Sequence, residues 1–197
     1  MIRKSHSKSI SQSKKNGSIR IIAGKHRGRK LPVLNIEGLR PTTDRVKETV
    51  FNWLSPYIND AKCLDCFAGS GSLGFEALSR NASAVLFLEL NKQVSKQLTS
   101  NLSLLKQNNA EVQHVDAVHY LQQANQQLFD LVFLDPPFRK DLLLNASKAL
   151  NNGWLAEKAL IYVESEECFA SSLLPSNWQL LKEKKAGQVA YRLYQNT

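Results

Sequence analysis

With 197 residues, 43% hydrophobic and 22% charged, the chain is long enough for one buried core and an appendage. No run approaches the roughly 20 apolar residues that span a membrane. The first seventeen residues offer no secretory apolar segment and no amphipathic face, so a cytoplasmic protein is expected.

The net charge of +9 is uneven. Residues 1–30 hold ten Lys and Arg and no acid, while the remainder holds 16 basic and 17 acidic residues. A near-neutral body with a basic arm points to a polyanionic partner. Residues 1–17, rich in Ser, Lys, Asn and Gln, read as a disordered basic tail. Residues 18–33 read as a β-hairpin turning at Gly24-Lys25-His26-Arg27-Gly28. It would carry Arg20, Lys25, Arg27, Arg29 and Lys30 toward a phosphate backbone. A solubilising hairpin packed on the body is the alternative. The hairpin extension is set at residues 18–38 and the main domain at 39–197.

After Arg40-Pro41, Thr42 or Thr43 can cap a helix whose first turn carries Asp44. Val46, Val50, Trp53 and Leu54 make its apolar stripe, and it ends near Ser55-Pro56. From residue 62 strands and helices alternate. Strands are predicted over 62–66, 84–88, 111–115, 131–134 and 159–163. Helices are predicted over 71–80, 91–107, 118–125, 142–150 and 167–173. Residues 178–183 and 189–194 form a closing antiparallel hairpin. Repeated βα units predict a mainly parallel α/β sheet with helices on both faces.

Cys63 and Cys66 form a C-x-x-C, but no second ligand pair accompanies it, so no metal is expected. All three cysteines, Cys168 included, read as small buried or half-buried apolar residues.

Two constellations carry chemistry. In the first, an apolar strand runs into Asp135-Pro136-Pro137-Phe138. Neither proline can donate to a ladder, so the strand must stop at Asp135. The Asp135 carboxylate and the Pro136 carbonyl can accept two N–H bonds of an amine, and Phe138 offers a stacking face. The bland alternative is a tight Pro-Pro turn with Phe138 in the core.

The second spans Asp65-Cys66-Phe67-Ala68-Gly69-Ser70-Gly71, between a strand and a helix. Gly69, Gly71 and Gly74 match a G-x-G-x-x-G spacing, though Asp65 precedes the loop. Glu89-Leu90 follows about 20 residues later, where an acid meets adenosine ribose hydroxyls. Asp116-Ala117 closes the next strand. Four acids at four strand ends suit S-adenosylmethionine, with its sulfonium and ammonium, better than a dinucleotide pyrophosphate.

The blocks Gly24-Lys25-His26-Arg27-Gly28-Arg29-Lys30-Leu31, Arg40-Pro41-Thr42-Thr43-Asp44-Arg45-Val46-Lys47-Glu48, Leu64 to Gly71 and Asp135 to Phe138 resemble one bacterial family. Its members methylate N2 of one guanine in 16S ribosomal RNA. The resemblance covers residues 18 to about 195. It implies a Rossmann-like class I methyltransferase fold with a seven-stranded sheet. It implies that Asp65, Phe67, Ala68, Gly69, Ser70, Gly71, Glu89, Leu90, Asp116 and Ala117 bind S-adenosylmethionine. Thr43 and Arg45 would close over the methionine end. Asp135, Pro136, Pro137 and Phe138 would hold a flipped guanine. Cys66 stands where Leu is more usual. The partner would be 16S ribosomal RNA within a small-subunit particle, met by a monomer. An adenine-N6 DNA methyltransferase and a non-catalytic RNA-binding assembly factor are the rival readings.

Overall fold

The computed structural model describes residues 17–36, 42–123, 127–138 and 141–197. The tail expectation for residues 1–16, Arg40-Pro41 and the predicted helix end at residues 124–125 lie outside the described residues. Two antiparallel strands, β1 (Gly17–Arg20) and β2 (Lys30–Val33), form a small separate sheet. Then follow α1 (Asp44–Leu54), β3 (Lys62–Asp65), α2 (Ser72–Ser79), β4 (Ala84–Glu89), α3 (Lys92–Leu105), β5 (Ala110–His114) and α4 (Ala117–Leu121). The chain closes with β6 (Phe129–Leu134), α5 (Leu142–Leu150), β7 (Leu155–Glu166), β8 (Trp178–Ala186) and β9 (Val189–Asn196).

The main sheet has seven strands in the order β5-β4-β3-β6-β7-β9-β8. The first five run parallel, β9 runs antiparallel to β7, and β8, antiparallel to β9, points the same way as the first five. The chain builds outward from β3 through β4 and β5, then crosses to β6 on the other side. The carboxyl ends of β3 and β6 therefore flank the point where strand order reverses, which in open α/β sheets is where ligands bind. This is the doubly wound sheet that βα alternation predicts.

The central strands are apolar on both faces because helices cover both. Side-chain alternation sorts them. Cys63, Leu131, Phe133 and Tyr162 join α1, α2, α3 and the small hairpin in one core. Leu64, Cys66, Val132, Leu134 and Val163 join α4 and α5 in the other. Cys63 and Cys66 thus lie on opposite faces, as positions i and i+3 of an extended segment must.

The basic hairpin is docked on the body. Ile19, Ile21, Leu31 and Val33 are buried in the first core, each worth about 1.5–3 kcal/mol when removed from water. Its turn is clamped to α2. The backbone N–H groups of Ile22 and Ala23 donate to the buried Glu76 carboxylate at 2.8 and 3.0 Å. The His26 N–H donates to Ser79 Oγ at 2.9 Å. The close approach requires glycine at position 24: φ is 77°, and an added Cβ would lie 1.8 Å from the Ser79 carbonyl oxygen.

Several expectations are corrected. On α1 the buried face is Lys47, Val50, Phe51 and Leu54, while Val46 and Trp53 are only partly buried. Lys47 goes inside because its ammonium donates to the Arg20 carbonyl and pairs with Asp44 at 3.3 Å. Of the helix expected over 167–173, one 3-10 turn forms, Ser171–Leu173. Cys168 is exposed, not buried. The fifth parallel strand begins several residues early, across a register shift where Lys158 takes φ 60°. No helix among the described residues is long and apolar enough to cross a membrane.

Candidate active site

The turn after β3 is built by backbone hydrogen bonds to its two neighbouring strands. Cys66 N–H continues the ladder to the Phe133 carbonyl at 3.1 Å, and Ala68 N–H donates to the Leu88 carbonyl at 3.0 Å. Gly71 N–H closes the turn on the Ala68 carbonyl at 2.7 Å. Gly69 and Gly71 take φ 49° and 74°, the left-handed region that side chains disfavour. A Cβ at Gly71 would strike Phe75 and Leu98, whereas at Gly69 it would meet no side chain, with the Phe67 carbonyl oxygen at an ordinary 3.8 Å. The Gly69 side of the turn thus leaves the backbone open to an approaching molecule.

Acids hold this turn. Glu89 accepts Gly69 N–H at 2.9 Å with one oxygen and Asn91 N–H at 2.7 Å with the other. Asp65 is buried and accepts Gly74 N–H at 3.1 Å. Burial pushes the Asp65 carboxyl up to about 7. The Gly74 bond pulls it back and the Glu89 charge adds to the rise. Asp116 is exposed and caps α4, accepting His119 N–H at 2.9 Å. Ala117 is buried beneath it, and Leu90 is exposed on the rim. Phe67 is half-buried, with Ala68 and Ser70 buried beside it. The donor set at this rim is acidic, and it fits a cationic ligand such as S-adenosylmethionine better than a phosphate.

At the neighbouring strand end, Asp135 is half-buried, Pro136 buried and Pro137 exposed. Phe138 is 40% exposed, so its ring is available for stacking instead of filling the core. Burial, with the nearby Glu164 and Asp65 charges, holds the Asp135 carboxyl well above the usual carboxylate range. Asp65, Glu89, Asp135 and Glu164 are thus linked electrostatically along one edge of the sheet.

Thr43 stands at the start of α1. It caps α1, accepting Val46 N–H at 3.4 Å, and lines a cleft between that helix and the hairpin. Arg45 is exposed, and its charge acts on the Tyr191 hydroxyl of β9. Of the hairpin cations, Arg20 pairs with Asp44 at 2.6 Å and Arg29 donates to the Leu104 carbonyl at 3.0 Å. Lys25, Arg27 and Lys30 are exposed. Glu164 was not singled out from the sequence. The signal was present, as an acid ending the apolar run Leu160-Ile161-Tyr162-Val163, one strand over from Asp135.

The family described as conserved hypothetical protein 95 matches residues 19–195. The ribosomal RNA small subunit methyltransferase D of Haemophilus influenzae is 58% identical over 193 residues, covering 96% of this chain and 100% of the relative. The chain belongs to the family of ribosomal RNA small subunit methyltransferase D. The solved structure of the putative methyltransferase yhhF from Escherichia coli superposes on it with TM-score 0.84. The two are 57% identical, and the match covers 91% of this chain and 98% of that one. A Thermus thermophilus 16S rRNA N2 G1207 methyltransferase, solved with AdoMet and guanosine, shares the fold. It superposes at TM-score 0.71 and 18% identity over 93% of this chain and 50% of its own. The family and the fold together make S-adenosylmethionine the cofactor.

Proposed function

We propose that this chain methylates the exocyclic N2 amine of a guanine in 16S ribosomal RNA, acting on a small-subunit particle in the cytoplasm. One observation carries the reading. Asp135 and Pro136 form a rigid acceptor corner at the end of β6, beside the glycine turn that ends β3. The names of the relatives supply the RNA. The small-subunit particle and the cytoplasm follow from that substrate.

S-adenosylmethionine, when bound, supplies an electrophilic methyl on a sulfonium. Asp65 and the Gly69–Gly71 turn would face its cationic end, and Glu89 its ribose. Asp116 and Ala117 would border the adenine. The target guanine leaves its stack and rests on Phe138. The Asp135 carboxylate and the Pro136 carbonyl accept the two N–H bonds of its amine and aim the nitrogen lone pair. As the N–C bond forms and the methyl's bond to sulfur breaks, the nitrogen must shed a proton. Asp135, whose carboxyl already has a raised proton affinity, takes it. The guanine amine is a weak nucleophile, so positioning and charge stabilisation supply most of the rate. Lys25, Arg27 and Lys30 grip the phosphate backbone.

Methyl mapping on 16S ribosomal RNA from cells lacking this protein tests the reading. One N2-methylguanine should be missing and should return with the wild-type gene. An unchanged set of N2-methylguanines would refute it.

The Asp65 carboxyl gives a second test. Near 7 it is half protonated in the free protein, and a cationic ligand favours its ionised form. Affinity for S-adenosylmethionine should therefore rise between pH 5.5 and 7.5, by up to about tenfold per unit at the steepest. The folded chain holds this proton more tightly than the unfolded chain. The same group therefore lowers the free protein's stability as pH rises from about 4 to 7. Calorimetric titrations of Asp65→Asn should lose the pH slope; a slope equal to wild type would remove Asp65 from the cofactor site.

A further inference from the structure

A cavity of about 220 Å³ opens beside the prolines of the acceptor corner. Pro136, Pro137 and Phe138 line one wall, and Glu164, Ser165 and Phe169 line another. At about 30 Å³ per water it holds roughly seven, enough for a heteroaromatic ring and too little for a nucleotide.

Glu164 is the unusual member of this lining. It is only 8% exposed, yet it is an acid with no cation beside it among the described residues. One carboxylate oxygen accepts the Tyr162 hydroxyl at 2.7 Å. The other takes no hydrogen bond among the described residues, although the residue lines the cavity. A buried charge left half-satisfied is costly, and such groups point to an absent partner.

Strand register says where that partner lies. Leu134 of β6 pairs with Val163 of β7, so the next residues along the two parallel strands are Asp135 and Glu164. On its other side Glu164 pairs with Tyr191 of β9. Asp135 and Glu164 thus occupy adjacent positions on neighbouring strands, with Glu164 lining the cavity, and the Glu164 charge adds to burial in raising the proton affinity of Asp135. Relief requires a ligand that presents two adjacent hydrogen-bond donors. A guanine edge does so, with N1–H next to the N2 amine. An adenine edge presents an acceptor at N1 beside its amine.

Resting on the proposed guanine-N2 activity, we infer that Glu164 accepts the N1–H of the target guanine and is the residue that makes the site guanine-specific. Asp135 holds the reacting amine. Glu164 reads the neighbouring atom, and Tyr162 fixes its carboxylate. Adenine would meet this carboxylate lone pair to lone pair, and a site built around a hydrogen bond rejects an edge that lacks it.

The test uses small-subunit particles reconstituted with 2-aminopurine at the mapped guanine. This base keeps the N2 amine and lacks N1–H. Wild-type enzyme should show kcat/KM roughly 10²-fold lower on 2-aminopurine than on guanine. In Glu164→Gln the amide oxygen can keep the Tyr162 bond while its NH₂ donates to N1 of 2-aminopurine. The preference should then narrow or reverse, with guanine turnover falling and 2-aminopurine turnover rising. Calorimetric titration with S-adenosylmethionine would show that the variant is folded. Equal wild-type rates on both bases would overturn the inference without reference to any variant. So would a Glu164→Gln enzyme slowed by the same factor on both, which is what a structural role gives. If wild-type enzyme methylates neither base, the underlying guanine-N2 reading fails instead.

Discussion

Asp135→Ala is expected to lower methyl transfer by about 10³-fold or more, with S-adenosylmethionine affinity within about threefold of wild type. The carboxylate is assigned both to aiming the amine and to accepting its proton, so both contributions vanish together. The fold should not suffer. Asp135 sits beside Glu164 and Asp65, and deleting one of three neighbouring acids relieves repulsion. Single-turnover kinetics with saturating cofactor separate this outcome from a binding defect. Asp135→Asn keeps the acceptor oxygen and loses the base, so it should fall between alanine and wild type. Turnover near wild type in Asp135→Ala would strip the corner of its assigned role.

The largest stability effect is expected at Glu76. Its fully buried carboxylate collects three donors: Ile22 N–H at 2.8 Å, Ala23 N–H at 3.0 Å and Arg80 Nε at 2.8 Å. Arg80 in turn lies over the Phe51 ring at 4.9 Å. Glu76→Ala leaves two backbone donors and a largely buried guanidinium without their acceptor. Breaking a buried pair from one side costs about 3–5 kcal/mol. For a chain of this size that lowers Tm by roughly 10 °C. Glu76→Gln keeps the shape and one acceptor oxygen, so it should melt between the two. A Glu76→Ala protein melting within about 2 °C of wild type would show that the clamp contributes little.

The fold was legible where apolar periodicity and chain-breaking residues agreed. The helix expected over 142–150 has those bounds, and the strand before Asp135 stops where the prolines require. Boundaries went wrong where tertiary contacts overrode local pattern. Lys47 falls outside the apolar stripe read on α1, and the Arg20 carbonyl, beyond local pattern, together with Asp44 makes its burial tolerable. The segment 167–173 has helical composition but forms a single 3-10 turn. The acids at strand ends were legible because carboxyl termini of parallel strands share an edge. Glu164 is not, since the apolar run ends at Val163 while the strand continues to Glu166, and nothing local marks the residue as lining a cavity. The ion pair of Arg20 was equally hidden, as Asp44 lies 24 residues away in sequence.

The clamp between the hairpin turn and α2 has a consequence for how this chain can be trimmed. Amputating the first thirty-odd residues, as a designer seeking a minimal catalyst would, uncovers the apolar slots filled by Ile19, Ile21, Leu31 and Val33. It also takes away two of the three donors on the Glu76 carboxylate, leaving Arg80 alone. The electropositive arm and the catalytic body are therefore one foldable whole: discarding the first would forfeit the second.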